Sequence, residues 1–336
     1  MAGSGVGLGV VGCGRMGAIH ARTIVSDVPA ARLVAVADVD VGRAQQLAAE
    51  LGIDAALGSA AALAARPDVN GVIIAVSSDR HLEAVRQVAA AVRGILCEKP
   101  LALTMPETLS AIAAADEAGV RLQVGFMRRF DPAYRRAARR LIAGEIGRPI
   151  VFKSLQFDPG PPPLAYADPA MSGGIHVDMG IHDYDLARWL MADEVVEVHA
   201  WGAALAYPEL ASVGDVDSAV VNLRFSRGAI GSIELARSSL SEDVRTEIVG
   251  ERGTIAIGRR PLAPTSGEPD SEAGGWGSGP LRFERAYAAE IRAFVRAIAG
   301  GRPVDVGGAD AVAALRVALA ADRSMRERRP IAVGGA

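Results

Sequence analysis

Residues 6–24, VGLGVVGCGRMGAIHARTI, predict a β-strand, a glycine-rich turn and an α-helix in direct succession. After a short apolar run, Gly12, Gly14 and Gly17 follow at the spacing G-x-G-x-x-G, and an apolar pattern of helical period continues behind them. Alone, this motif is a weak signal in a chain with 38 glycines. However, RLVAVAD follows as a second strand and ends in Asp38, about 20 residues after the last glycine. The complete pattern is typical of a dinucleotide-binding fold.

Each glycine of this loop has a physical role. Gly12 allows the tight turn, Gly14 lets the backbone approach a pyrophosphate, and Gly17 lets the helix lie close to the strand. The helix N-terminus then presents unpaired amides and a partial positive charge to the phosphates. We therefore expect a cofactor-binding loop formed by Gly12, Gly14, Arg15, Met16 and Gly17.

Asp38 predicts which dinucleotide binds. A carboxylate at the end of the second strand accepts hydrogen bonds from the ribose hydroxyls of the adenosine and repels a 2′-phosphate. This favours NAD over NADP. Arg43 lies near enough in sequence to weaken the preference, although an arginine in a first helical turn is ordinarily solvated.

The fold class follows from the alternation of strands and helices up to residue 123, which predicts a doubly wound parallel sheet, a Rossmann domain over residues 1–123. In such a sheet the ligand lies beyond the carboxyl ends of the strands. The polar residues expected there, next to the cofactor, are Ser77, Ser78, His81, Glu98 and Lys99, followed by Pro100.

The remaining residues, 124–336, predict a second α/β domain with a large, open, mostly antiparallel sheet. Six segments alternate apolar and polar residues in strand fashion: GRPIVFKSLQF, VVEVHAWGAAL, DSAVVNLRF, AIGSIELARS, VRTEIVG and GTIAIG. A loop rich in Pro, Gly and Ser, RRPLAPTSGEPDSEAGGWGSGP, precedes two closing helices.

Composition excludes several classes of protein. A chain of 336 residues suggests two domains, and a net charge of −3 with one local basic run, at 128–140, does not favour nucleic acid as a partner. We find neither an apolar stretch of about 18 residues nor a signal-peptide pattern, so we expect no membrane partner and a cytoplasmic protein. Cys13 and Cys97 lack the number and spacing of a disulfide framework or a zinc ribbon, and are expected to be small buried residues.

The stretch GGIHVDMGIHDYD, residues 173–185, concentrates histidines and aspartates. We expect Asp178 and His182, four residues apart, to share one face of a helix, with Asp185 three further on and His176 before the helix start. Three interpretations are open: a metal site, a capped and solvated helix, or a histidine–carboxylate pair for acid–base chemistry.

The chain resembles the glucose-fructose oxidoreductase, inositol dehydrogenase and rhizopine-catabolism family, written Gfo/Idh/MocA. The resemblance spans almost the whole length and rests on GCGRMGAIHA, EKPLALT, VGFMRRFDPAY and SGGIHVDMGIHDYDLARWL. Within the family, FDPGPPP and DMGIHDYDLARWL are similar to inositol 2-dehydrogenases and relatives that oxidise cyclitols or pyranoses.

This resemblance implies Lys99, Asp178 and His182 as the catalytic group, Arg128 beside cofactor and substrate, and no catalytic metal. It also implies that two subunits bury their open sheets together, as a dimer or tetramer. The residue chemistry agrees with these roles. His182 suits a general base, Lys99 can donate to a developing alkoxide and keep the nearby imidazole neutral, and Asp178 can orient the substrate or His182.

Two departures from the inositol dehydrogenase pattern bear on the substrate. Phe157 stands before Asp158 where many of these enzymes have arginine, and SLSEDVRTE stands where they often have tyrosines. An apolar ring in place of a hydrogen-bonding cation suggests a deoxy, amino or differently configured ring. A basic amino-cyclitol would suit Asp158 and Glu242 if both faced the substrate.

Other functions remain open from sequence. NAD-assisted hydrolysis or elimination through transient oxidation would regenerate the cofactor in each turnover, and a sensor would bind NAD and a sugar without chemistry. The acid–base set argues against a sensor. The remaining histidines, His20 and His199, are expected to be packing or surface residues.

Overall fold

The computed structural model describes residues 5–239, 242–258 and 280–334, with only the backbone of 280–282. The predicted loop from 259 therefore lies outside the described residues except for Pro280, as do Leu240 and Ser241 of SLSEDVRTE. Among the described residues, no helix is both long and apolar enough to cross a membrane.

Helices and short strands alternate along the first third of the chain, and longer strands dominate afterwards. The strands are β1 (Val6–Val11), β2 (Ala31–Ala37), β3 (Ala56–Leu57), β4 (Gly71–Ile74), β5 (Gly94–Glu98), β6 (Arg121–Gly125), β7 (Pro149–Phe157), β8 (Val195–Ala203), β9 (Ser218–Phe225), β10 (Ile230–Ala236), β11 (Asp243–Gly250), β12 (Gly253–Ile257) and β13 (Ile331–Ala332). The α-helices are α1 (Arg15–Asp27), α2 (Val41–Leu51), α3 (Ala60–Ala64), α4 (His81–Val88), α5 (Met105–Glu117), α6 (Pro132–Ile142), α7 (Leu164–Ala167), α8 (Pro169–Ser172), α9 (Gly174–Asp178), α10 (Ile181–Met191), α11 (Pro280–Gly300) and α12 (Gly308–Glu327). Short 3-10 helices cover Ser78–Arg80, Ala89–Ala91, Met127–Phe130 and Pro208–Val213.

Local sequence explains where several helices begin. The side chains of Asp40, Ser59, Thr104 and Asp131 each accept a hydrogen bond from an amide in the first turn of α2, α3, α5 and α6. Such caps satisfy amides that have no partner within the helix, and each stabilises the fold by about 1 kcal/mol.

The first compact unit comprises Met1–Phe130 and Glu284–Ala313. Its six strands pair in parallel in the order β3-β2-β1-β4-β5-β6, the doubly wound arrangement of dinucleotide-binding domains. The sequence prediction of a Rossmann sheet is confirmed. The predicted domain boundary between residues 123 and 124 stays a prediction.

Helix α11 packs directly on this parallel sheet. Gly71 and Gly94 are register partners on β4 and β5, and a Cβ atom on them would lie 2.9 and 2.2 Å from side-chain atoms of Ile298. Carbon atoms in contact lie about 3.5–4.0 Å apart, so a larger residue at either position would push the helix away. Phe294 and Ile298 of α11 thereby join Leu8, Leu96 and the other apolar residues of the core.

The second compact unit comprises Asp131–Phe283 and Ala314–Ala336. In the part of this unit that the structure describes, seven strands follow the order β12-β11-β7-β10-β9-β8-β13, and only the β7–β10 pair is parallel. The predicted large, mostly antiparallel sheet is confirmed. On β9 the pattern of the sequence produces strict alternation of buried and exposed residues from Ala219 to Phe225.

The predicted helix containing both Asp178 and His182 is wrong in two respects. Helix α9 already begins at Gly174, so His176 lies inside it, and the helix ends at Asp178; His182 belongs to α10. The break falls at Gly180, where a Cβ atom would lie 2.9 Å from Leu235 and 3.1 Å from the carbonyl oxygen of His176. The approach of Leu235 is a tertiary contact that helical spacing alone does not reveal.

Candidate active site

The glycine loop has the shape that the sequence predicts. Gly12 has a φ of +91°, which favours glycine, and a Cβ on Gly17 would lie 1.7 Å from the carbonyl oxygen of Gly12. Around Gly14, by contrast, no atom would lie within 4 Å of a Cβ. Since no side chain caps the first turn of α1, which starts at Arg15 and Met16, its amides are available to an anion.

Asp38 lies directly beside this loop. Its Oδ2 accepts a hydrogen bond from the backbone amide of Cys13 at 2.7 Å, and its Oδ1 accepts one from the amide of Asp40 at 2.9 Å. Arg43 Nη1 lies 3.9 Å from the same Oδ2, with 55% of its side chain exposed. The acidic residue, the glycine loop and the arginine therefore meet at the ends of β1 and β2.

The two cysteines are buried free thiols, as expected. Burial first, and then the charge of Asp38, raise the pKa of Cys13 to about 11 in spite of Arg43. The thiol of Cys13 therefore remains protonated at neutral pH.

Glu98 and Lys99 end β5 at the carboxyl edge of the parallel sheet, with Lys99 partly exposed. The carboxylate of Glu98 contacts Nε2 of His20 at 2.6 Å through Oε1 and accepts from the amide of Lys99 at 3.2 Å through Oε2. Burial raises the pKa of Glu98, but the hydrogen bond and charge of His20, with the charge of Lys99, bring it below its ordinary value. Glu98 is therefore a carboxylate that holds the turn around Lys99.

His81 is buried at the start of α4 and contacts the same turn. Its Nδ1 lies 2.7 Å from the carbonyl oxygen of Pro100, and its Nε2 lies 3.3 Å from that of Val76. Burial is the main cause that lowers the pKa of His81. Ser77, partly exposed, lies in the segment between β4 and the 3-10 helix Ser78–Arg80. Arg128 lies buried in the 3-10 helix that follows β6.

In the second unit, Asp178 is held by an arginine that the sequence analysis did not single out. Nη2 of Arg237 lies 3.2 Å from Oδ2 of Asp178, and Nη1 binds Oδ2 of Asp215. The side chain of Arg237 is 1% exposed and that of Asp178 18%. Asp178 therefore combines a buried ion pair with access to small molecules.

His182 is 6% exposed and lies in the first turn of α10. The next residue, Asp183, accepts a hydrogen bond from Ser154 of β7, which anchors α10 to the sheet. His176 contacts the hydroxyl of Tyr184 at 2.9 Å and is 1% exposed. Burial, followed by the charges of Arg237 and Arg326, lowers the pKa of His176 to about 3, so it is a neutral packing residue.

The residues expected to select the substrate lie at the carboxyl end of β7 and just before the start of β11. Phe157 ends β7 and is the register partner of Ala236 on β10 and of Asp243 on β11. Asp158 follows Phe157 and is partly exposed, whereas Glu242, just before β11, is 8% exposed.

The sequence contained a signal for Arg237. On β10 the inward positions Ile233 and Leu235 are spaced by two, and Arg237 continues the same phase. A charged residue in phase with buried apolar ones must find an opposite charge. The pattern therefore predicts a buried ion pair, but not its partners. The bond between His20 and Glu98, 78 residues apart, had no such signal.

Lys99 belongs to the first unit, and Asp178 and His182 belong to the second. Among the described residues, no group of three or more His, Cys, Asp or Glu side chains has a geometry that could hold a metal ion. The first unit nevertheless fits a dinucleotide: the space beside Gly14, the uncapped start of α1 and the buried Asp38 match its pyrophosphate and ribose.

Comparison with known proteins supports this fit. The model of the oxidoreductase family with an NAD-binding Rossmann fold matches residues 6–126, and the GFO/IDH/MocA C-terminal domain model matches residues 134–256. The chain is thus an NAD-dependent dehydrogenase that acts on CH–OH groups. It belongs to the GFO/IDH/MocA family.

Individual relatives cover nearly the full length. The scyllo-inositol 2-dehydrogenase (NAD(+)) of Bacillus subtilis is 38% identical, over 96% of this chain and 94% of the relative. The myo-inositol 2-dehydrogenase of Thermotoga maritima is 36% identical, over 96% and 97%. The structure of scyllo-inositol dehydrogenase from Lactobacillus casei with NAD(H) and scyllo-inositol has a TM-score of 0.88 and 27% identity, over 99% of this chain and 100% of that one.

Proposed function

We propose that this enzyme oxidises a secondary hydroxyl on a six-membered polyhydroxylated ring, with an inositol as the first candidate. The observation that carries the proposal is the partly exposed carboxylate of Asp178, which the buried Arg237 holds. Asp178 lies four residues before His182 in the chain. A carboxylate acceptor and an imidazole base suit a hydroxyl group as substrate. The relatives named as inositol dehydrogenases support the ring class.

In the proposed mechanism, His182 removes the proton of the reacting hydroxyl, and Lys99 donates a hydrogen bond to the oxygen as its negative charge develops. Asp178 accepts hydrogen bonds from the ring and orients it. Held by the glycine loop and Asp38, NAD would supply the acceptor for the hydride of the carbon that carries this hydroxyl, and that carbon would become a ketone.

The cofactor is proposed to contact Gly12, Gly14, Arg15, Met16 and Gly17 through its pyrophosphate and Asp38 through its ribose. Ser77 and Lys99 are proposed to lie on the nicotinamide side. For His81 and Glu98, the hydrogen bonds to Pro100 and to the amide of Lys99 favour an indirect part: they hold the turn that presents Lys99.

Phe157, Asp158 and Arg128 are proposed to contact the substrate with Asp178 and His182. A ring that lacks one hydroxyl, or that carries an amine in its place, is the second candidate. The partly exposed Asp158 would pair with an ammonium group. The side chain of Phe157 has no hydrogen-bonding group that a substrate hydroxyl would have to satisfy. Selectivity at one ring position should therefore differ from that of enzymes with arginine there.

We also propose a homo-oligomer, a dimer or a tetramer. Trp201 of β8 and Val220 of β9 are register partners and are 49% and 45% exposed. Ile230 of β10 is 56% exposed, and a second copy would cover such apolar positions. The free cysteines fit a reducing compartment, which supports a cytoplasmic location.

The test is NADH formation with myo-inositol, scyllo-inositol, an amino-cyclitol, glucose and an open-chain hydroxy acid at mildly alkaline pH. The His182→Asn variant is the control for background reduction. We expect net NADH with at least one ring polyol. Turnover of the open-chain acid alone would contradict the ring assignment. Conversion of a sugar without net NADH would favour hydrolysis or elimination through transient oxidation.

A further inference from the structure

Arg237 links two aspartates that contact helix α9. Its two terminal nitrogens bind Oδ2 of Asp215 and Oδ2 of Asp178, the latter at 3.2 Å. Asp215 uses its other oxygen, Oδ1, to accept from the backbone amide of Ile175 at 2.9 Å. Because Ile175 and Asp178 both belong to α9, the arginine and Asp215 hold this helix near its start and at its last residue.

Helix α9 needs such support. It has five residues, and a helix of this length is not stable by its own hydrogen bonds. Its first residue, Gly174, has a φ of +71°, and a Cβ there would lie 3.1 Å from Oδ1 of Asp215. The backbone therefore adopts a conformation that favours glycine where Asp215 approaches it.

Burial separates the roles of Arg237 and Asp178. The side chain of Arg237 is 1% exposed and is too buried to contact a ligand directly, whereas that of Asp178 is 18% exposed. A guanidinium has only donors, and its planar fork binds carboxylates in defined directions. Arg237 can therefore influence a bound ring through the orientation of Asp178.

We propose that Arg237 and Asp215 are positioning residues that hold the carboxylate of Asp178 in the orientation required by the reacting ring. This inference rests on the proposed function, in which Asp178 binds the substrate. A misplacement of about 1 Å in a reacting group can cost about 100-fold in rate. Loss of Arg237 or Asp215 should therefore impair catalysis in an enzyme that still folds and binds NAD.

The experiment compares four single variants in the full-length enzyme: Arg237→Lys, Arg237→Gln, Asp215→Asn and Asp178→Asn. Asp215→Asn is the mildest test, since the remaining oxygen can still accept from Ile175 while the amide nitrogen faces Arg237. Arg148→Gln is the matched control, because Arg148 directly precedes β7 of the same sheet and forms an exposed pair with Glu251. Measurements are kcat and KM for the ring substrate, the Kd for NAD by fluorescence, and the melting temperature.

We expect kcat/KM for the ring to fall by about 10- to 100-fold in Arg237→Gln and Asp215→Asn, with the Kd for NAD unchanged. Arg237→Lys should recover part of the loss, since it retains the charge without the fork. Arg148→Gln should equal the wild type.

A double-mutant cycle distinguishes positioning from general stabilisation. In the Asp178→Asn background, adding Asp215→Asn or Arg237→Gln should change kcat/KM by less than about threefold, because the group that they position is already lost. Losses that multiply in the double variants would overturn the proposal, as would single variants whose kcat/KM stays within twofold of wild type. If Arg237→Gln does not fold, Asp215→Asn and Arg237→Lys decide by the same criteria.

Failure of the proposed function has a different signature. A wild type that oxidises no ring polyol contradicts that function. An undiminished Asp178→Asn variant contradicts the role of Asp178 and this inference with it. In a third outcome, the wild type oxidises a ring polyol and Asp178→Asn loses this activity, but the Arg237 and Asp215 variants remain unaffected. That outcome contradicts the inference and leaves the proposed function intact.

Discussion

The backbone amide of Cys13 donates a hydrogen bond of 2.7 Å to Oδ2 of Asp38, which joins the glycine loop to the end of β2. The second oxygen of Asp38 accepts from the amide of Asp40. The residue expected to bind the adenosine ribose thus also fixes the loop that receives the pyrophosphate. Its substitution should affect both parts of cofactor binding.

We expect Asp38→Ala to weaken NAD binding by roughly tenfold or more, since hydrogen bonds to a charged group contribute about 1.5–3 kcal/mol. Use of NADP relative to NAD should rise, because the charge that opposes a 2′-phosphate is removed. Steady-state kinetics with both cofactors measure this. Arg43→Ala is the control and should leave NAD binding nearly unchanged, as Arg43 is largely exposed. A wild type that prefers NADP would contradict the assignment.

Lys99→Met and His182→Asn should each lower turnover by about 100-fold or more, because both side chains act on the reacting hydroxyl. The Kd for NAD should change little. Single-turnover measurements, in which chemistry limits the rate, provide the comparison, with a fluorescence titration for NAD. Near-normal turnover of either variant under these conditions would remove that residue from the mechanism.

The lowered pKa of His176 leads us to expect that the folded protein loses stability in acid. Burial, with the charges of Arg237 and Arg326, lowers its pKa from 6.5 to about 3, so the unfolded chain binds a proton in this window that the folded chain does not. The free energy of unfolding should therefore decrease as pH falls from 6.5 towards 3, by about 1.4 kcal/mol per pH unit from this residue. Urea unfolding of His176→Gln should show a flatter acid dependence, and His199→Gln, at a half-buried site, serves as the comparison. Parallel acid curves for wild type and His176→Gln would refute this.

The raised pKa of Glu290 leads us to expect the opposite dependence of stability on pH. It is fully buried in α11, and burial followed by the charge of Glu98 raises its pKa well above 4.5. The folded chain therefore retains a proton that the unfolded chain releases, and stability should fall as pH rises above 4.5, by about 1.4 kcal/mol per unit up to the folded pKa. Glu290→Gln should be more stable than wild type at neutral pH. The exposed Glu284→Gln on the same helix should show no such gain. A stability difference between Glu290→Gln and wild type that is the same at about pH 4 and at neutral pH would contradict this prediction.

Activity should survive prolonged chelation. The proposed proton transfer uses Lys99, Asp178 and His182, and the nicotinamide is the electron acceptor, so no step requires a metal ion. Metal analysis of the active enzyme accompanies the assay. Stoichiometric zinc whose removal and return abolish and restore turnover would establish a metal enzyme instead.

Local features of the sequence were sufficient for much of the fold. Gly12, Gly14 and Gly17 perform their parts within one turn and one helix, and the alternating pattern of β9 defines both faces of a strand. Such features depend on neighbours close in the chain, where spacing translates directly into geometry. The same reasoning placed Lys99 at the end of a parallel strand.

Only the tertiary structure decided which distant groups meet. Periodicity shows that Arg237 faces inward, but its partners Asp178 and Asp215 are 59 and 22 residues away in the chain. Gly180, between α9 and α10, likewise lies against Leu235, and the contact of His20 with Glu98 spans 78 residues. A sequence pattern defines the face on which a side chain lies. The partner on that face is selected by packing of the complete fold, because a buried charge is stable only where the folded chain supplies its counter-charge.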